Sequence, residues 1–179
     1  STAQTPPPWR ARAAWAIDGL SLPEDGRIAI IAENAAEVLV AHVAILIAGR
    51  SAVPVNYHLR VEEAAYLLQA GKVAAVLTGP ESADMAVAAT KQAGIRNVLG
   101  WRCSGRNDLV SWESALEAAP DTAFSGDRSP RPPLMFTSGT TGVPKAIELP
   151  QAMFPRTETI DQHLAAPQQI HHRLAADRA

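Results

Sequence analysis

A chain of 179 residues with 47% apolar side chains is long enough to bury one substantial core and too short for two ordinary domains. Its 16 basic and 18 acidic residues are mixed along the sequence and leave a formal charge of -2. That excludes the electrostatic footprint of a nucleic-acid or anionic-membrane binder, so any phosphate chemistry must be local.

The first element in chain order is a helix over Trp9 to Gly19, started by Thr5 and the prolines at 6 to 8, because proline is tolerated in a first helical turn. After the turn signal Pro23-Glu24-Asp25-Gly26, the β-branched run Ile28 to Ala32 predicts a strand. Ala35 to Gly49 is the longest apolar stretch. It contains Glu37 and His42 and falls short of the roughly 20 residues that span a bilayer, so no transmembrane segment is expected and it reads as a buried helix. Asn34 is placed to cap it and Gly49 to end it. Ala52 to Val55 follows as a strand, and the alternation continues with a helix over Val61 to Ala70 stopped by Gly71 and a strand over Val73 to Thr78. Next come a helix over Glu81 to Ala93 stopped by Gly94 and a strand over Asn97 to Trp101. Such β-α-β alternation with continuous apolar strands predicts an α/β fold, a parallel sheet covered by helices.

Cys103 to Asp108 reads as a loop, Ser111 to Ala119 as a short helix capped by Ser111, and Pro120 to Pro133 as a surface link. Leu134 to Phe136 is a brief strand, and Ala146 to Leu149 alternates like the returning strand of a hairpin. Beyond Pro150 the sequence is helix-like to Ala179, with interruptions at Pro155 and Pro167. The organisation expected is one partial domain: β-α units over 1–102, loop, helix and link over 103–133, strand, loop and strand over 134–149, and a helical segment over 150–179.

Between the last two strands lies Thr137-Ser138-Gly139-Thr140-Thr141-Gly142-Val143-Pro144-Lys145. Gly139 and Gly142 let backbone N–H groups approach phosphate oxygens closely, and Ser138, Thr140 and Thr141 add hydroxyl donors. Pro144 stiffens the exit, and Lys145 supplies a mobile cation for the β and γ phosphates. The spacing is not that of a Walker loop, since Ala146 follows the lysine and no Ser or Thr hydroxyl is there to hold magnesium.

Thr137 to Lys145 matches, at every defined position, the Thr-Ser-Gly-Thr-Thr-Gly-x-Pro-Lys signature of the adenylate-forming superfamily, and the chain resembles its fatty acyl-CoA synthetases. Eight fixed positions recur by chance on the order of once per 10^10 sites. Leu46 to Asn56, with Gly49, Val53 and Pro54, is similar to a second family segment, and Glu62 to Leu68 to the helix after it. The residues Asn56 to Leu59 look more like fatty acyl-CoA synthetases than peptide-synthetase domains, which usually carry Asp-Pro there. The resemblance implies nucleotide contacts from Thr137, Ser138, Gly139, Thr140, Thr141, Gly142 and Lys145. It further implies ATP, magnesium and coenzyme A as cofactors of the parent enzyme and a fatty acid as substrate: the carboxylate is adenylated, pyrophosphate leaves, and the coenzyme A thiolate displaces AMP.

No segment after Leu149 resembles the family's adenine, magnesium, ribose, hinge or lid motifs. The expectation is a fragment that is inactive alone, with no catalytic residue of its own and no cofactor bound tightly. The alternative is a non-catalytic phosphate- or partner-binding module from a truncated gene. A cut sheet exposes an edge, so self-association is expected. Two positions depart from the family: Ala146 replaces a glycine and Gln151 a histidine. Ala146 would be strained if its backbone were left-handed. His163, His171 and His172 lack a ligand cluster, and His42 reads as a buried neutral side chain, so no metal site is expected. Ser138 lacks the Gly-x-Ser-x-Gly setting of a hydrolase nucleophile. Cys103, the single cysteine, cannot form an internal disulfide, and no basic-then-apolar leader precedes the first helix. A cytoplasmic setting is therefore expected.

Overall fold

A computed structural model of the chain describes residues 8–126, 128–137 and 144–150. The helix-like segment expected beyond Pro150, with Gln151 and the histidines at 163, 171 and 172, lies outside the described residues. Helix α1 (Pro8–Asp18) leads into β1 (Arg27–Ile31), α2 (Ala36–Ile47), β2 (Ala52–Val55), α3 (Val61–Ala70), β3 (Val73–Thr78), α4 (Ala83–Ala93) and β4 (Asn97–Gly100). A two-residue strand β5 (Val110–Ser111), which the sequence did not suggest, precedes α5 (Trp112–Ala118), and β6 (Leu134–Thr137) and β7 (Lys145–Glu148) follow. The first five strands form one parallel sheet in the order β2-β1-β3-β4-β5, and β6 and β7 form a separate antiparallel pair.

Successive strand residues point to opposite faces, so each interior strand feeds two cores. Ile28 and Ile30 of β1 and Leu77 of β3 pack with Ile17, Ala41, Ala44 and Ile45 on the side of α1, α2 and α5. Ala29, Ile31 and Val76 pack with Ala64, Leu68, Ala86 and Ala89 on the side of α3 and α4. Burial on both faces is why β1 and β3 read as unbroken apolar runs. Pro54 cannot donate to a ladder and stands in β2, which pairs only with β1 among the described residues and is thus an edge strand of this sheet.

Several ends differ from the expected ones. Asn34 does not cap α2; Ala35 occupies that position with no side-chain hydrogen bond. The chain there is still extended, so Asn34 precedes the cap by one residue and is exposed. Helix α4 begins two residues later than expected, after Ser82, whose hydroxyl is turned towards β1 and β3 instead of its own helix. Ser111 does cap α5, accepting the Ser114 N–H at 3.1 Å. Gly49 and Gly94 end their helices at φ +65° and +75°, the left-handed angles that favour glycine. Gly71 instead keeps a right-handed angle, and Lys72 after it takes φ +50°.

Candidate functional site: the phosphate-loop hairpin and the crevice beside β1

Strands β6 and β7 pair in register, Leu134 with Glu148, Met135 with Ile147, Phe136 with Ala146 and Thr137 with Lys145. Alternation divides the hairpin into two faces. Leu134 is buried and Phe136 packs against the α3/α4 core, so residues 134, 136, 146 and 148 form the inward side. Met135, Thr137, Lys145 and Ile147 form the exposed side. Thr137 and Lys145, the ends of the motif, thus face each other on the last rung and both reach solvent, joined by a long 3.5 Å contact from Thr137 Oγ1 to the Lys145 carbonyl. Ser138, Gly139, Thr140, Thr141 and Gly142 lie outside the described residues. Ala146 is a strand residue, and the non-glycine residues with positive φ among those described are Ser21, Lys72 and Arg102. The substitution of alanine for glycine therefore carries no left-handed strain.

The hairpin is fastened to the parallel sheet at its base. The fully buried Ser51, ahead of β2, donates its hydroxyl to the Pro132 carbonyl at 2.6 Å. Arg27, at the start of β1, reaches the Gly71 carbonyl at 3.2 Å and the Glu148 carboxylate at 3.3 and 3.4 Å. The sequence reading passed over both residues, although each is a polar residue at the boundary of an apolar strand.

In this strand order the connections from β1 and β3 leave towards opposite faces, which opens the crevice where doubly wound sheets commonly take ligands. Here protein groups fill it. Glu33, 8% exposed, lies with Oε2 3.0 Å from the Ser82 hydroxyl, which is also 2.9 Å from the Ile31 carbonyl and 3.1 Å from Thr78 Oγ1. Gly79 passes so close that any side chain there would overlap the carboxylate. A lone acid directly after an apolar strand was the available sequence signal for this cluster.

Elsewhere, the buried Arg50 guanidinium holds the carbonyls of Leu22, Pro23 and Glu24 and so fixes the turn before β1. A cavity of about 580 Å³ beside it is lined by Glu24, Asp25, Gly49 and residues 128–131 of the link. Burial raises the Cys103 thiol above its ordinary value, keeping it protonated and unreactive. No group of three His, Cys, Asp or Glu side chains placed to hold a metal occurs among the described residues. None of their helices is long and apolar enough to cross a membrane.

A parallel sheet covered by helices, with an antiparallel hairpin appended, defines an α/β class of fold. A family model described as AMP-binding enzyme matches residues 10–173, and the chain belongs to that family. Solved structures share its fold. The anthranilate CoA ligase AuaEII, solved in complex with anthranoyl-AMP, is 20% identical at a TM-score of 0.70 over 79% of this chain and 28% of that one. MbtA of Mycobacterium smegmatis is 26% identical at 0.65, over 78% and 27%. The N-terminal domain of FACL13 from Mycobacterium tuberculosis is 24% identical at 0.66, over 79% and 35%. The chain thus spans about a third or less of these proteins. No curated protein matched it.

Proposed function

We propose that these residues are the phosphate-gripping part of an ATP-dependent acyl-CoA synthetase, one that adenylates a fatty acid and passes the acyl group to coenzyme A, and that they do not catalyse this alone. The observation that carries the reading is the complete Thr137-to-Lys145 motif on a hairpin whose ends open to solvent on one face. An ATP triphosphate fits this setting: a flexible cation on the exposed side of a rigid strand, beside a loop whose sequence supplies small residues and hydroxyl donors. When bound, ATP supplies the activated phosphorus and magnesium screens its charge. Ser138, Gly139, Thr140, Thr141 and Gly142 would hold the phosphates, with Thr137 closing the loop. Lys145 would stabilise the negative charge that builds on pyrophosphate.

A grip made of one loop and one lysine binds weakly, with a dissociation constant on the order of 1 mM. The test is an NMR titration of the chain with ATP and with inorganic pyrophosphate, run beside an ATP–pyrophosphate exchange assay with fatty acids. Saturable shifts at Lys145 and Thr137 without exchange are expected. Absence of shifts at millimolar ligand overturns the phosphate grip, and robust exchange overturns the inactivity.

A further inference from the structure

Building on the phosphate-grip reading, we propose that Arg27 and Glu148 act as a pair to position Lys145, so that the first residue of the parallel sheet sets the placement of that cation. Strand alternation puts Lys145 and Glu148 on opposite sides of β7, the lysine outward and the carboxylate towards the sheet. Glu148 meets Arg27 there, whose side chain is only 13% exposed.

The arginine is held independently of Glu148. One arm of its guanidinium donates to Gly71, the residue that closes α3. A cation at a helix C-terminus is favoured by the unpaired carbonyls and the helix dipole. The Arg27 N–H also donates to the Lys72 carbonyl at 3.1 Å. A planar fork can serve the carbonyl and the carboxylate together, which a lysine ammonium at the end of a flexible stem would not reproduce. Leu134, opposite Glu148 on the ladder, lies beside the same Gly71, its Cδ2 3.5 Å from where a Cβ on that glycine would stand. The hairpin base is therefore fixed at one point by a charged contact and an apolar contact.

All four residues of β7 are exposed, and the strand meets the sheet through its partner β6 and through Glu148. If the carboxylate lets go, the three residues between it and the loop are free to tilt about β6. Lys145 then loses its fixed distance from the phosphates, while the two cores are untouched.

The experiment compares Glu148→Gln, Arg27→Met and the double variant with the wild-type chain, measuring pyrophosphate affinity from the Lys145 NMR shift and stability from urea unfolding. The expected result is that each single variant binds pyrophosphate up to about five-fold more weakly, the upper end of what one partly exposed ion pair contributes. The double variant loses no more than either single, and Glu148→Gln keeps the wild-type unfolding midpoint. Wild-type affinity in Glu148→Gln overturns the proposal, and so do losses that multiply in the double variant; either leaves the phosphate grip standing. A wild-type chain that shows no pyrophosphate shift overturns the phosphate grip first, and the positioning role with it.

Discussion

Replacing Gly49 with alanine tests how the link is seated that delivers the chain to the phosphate loop. Gly49 stands between α2 and β2 at φ +65°. A side chain in that region costs about 1–2 kcal/mol. The added Cβ would also overlap the Cβ of Arg128 and lie 2.9 Å from its carbonyl oxygen and 3.0 Å from its carbonyl carbon. The Arg128 Cβ and carbonyl are both fixed to the main chain, so neither can give way unless the backbone of the link moves. Overpacking of this kind costs about 1–3 kcal/mol. The two effects act at one residue and sum to roughly 2–5 kcal/mol. With a urea slope of about 1–3 kcal/mol per molar, the unfolding midpoint of Gly49→Ala should fall by at least about 0.7 M. Adding Arg128→Gly removes the Cβ overlap and leaves the φ penalty, so the double variant should recover part of the loss. A midpoint unchanged within error in Gly49→Ala would refute the close seating of the link on α2, and no recovery in the double variant would assign the cost to φ and the Arg128 carbonyl contacts.

Burial lowers the His42 pKa below its ordinary 6.5, so the folded chain holds a neutral imidazole while the unfolded chain protonates first. Its effect on stability is nil well above pH 6.5, grows unfavourable as pH falls from 6.5 towards the folded pKa, and levels off below it. Urea midpoints at about pH 7.5 and 5.5 should therefore drop less in His42→Leu than in wild type; parallel drops would remove His42 as the cause. The exposed face of the hairpin pairs Met135 with Ile147, and Leu149 beside them is also exposed. With the outer edge of β7 unpaired among the described residues, light scattering should show concentration-dependent association that Ile147→Lys weakens. A wild-type chain monomeric at every concentration would sink that expectation.

The strands were legible because β1 and β3 are buried on both faces, which forces continuous apolar runs, and because Gly49, Gly71 and Gly94 mark helix ends in their own residue types. The strands flanking the Thr137-to-Lys145 motif were legible too, as a brief apolar run before it and an alternating one after it. Helix starts were less so. Asn34 has the composition of a cap, and Ser82, at the capping position of α4, uses its hydroxyl across the sheet because Glu33 and the Ile31 carbonyl offer buried partners there. Strand β5 escaped notice because two residues carry no period, and only the open edge of β4 gives them a ladder.

The sequence by itself determined the α/β class and the order of the main elements, since each is written in local pattern. The tertiary structure alone decided which residues fasten the β6–β7 hairpin to the parallel sheet. Arg27 and Glu148 are separated by 121 positions, and Ser51 and Pro132 by 81. Nothing local ties such pairs together: a polar residue at the end of an apolar strand has a partner only once the sheet has formed and the hairpin has been laid against it.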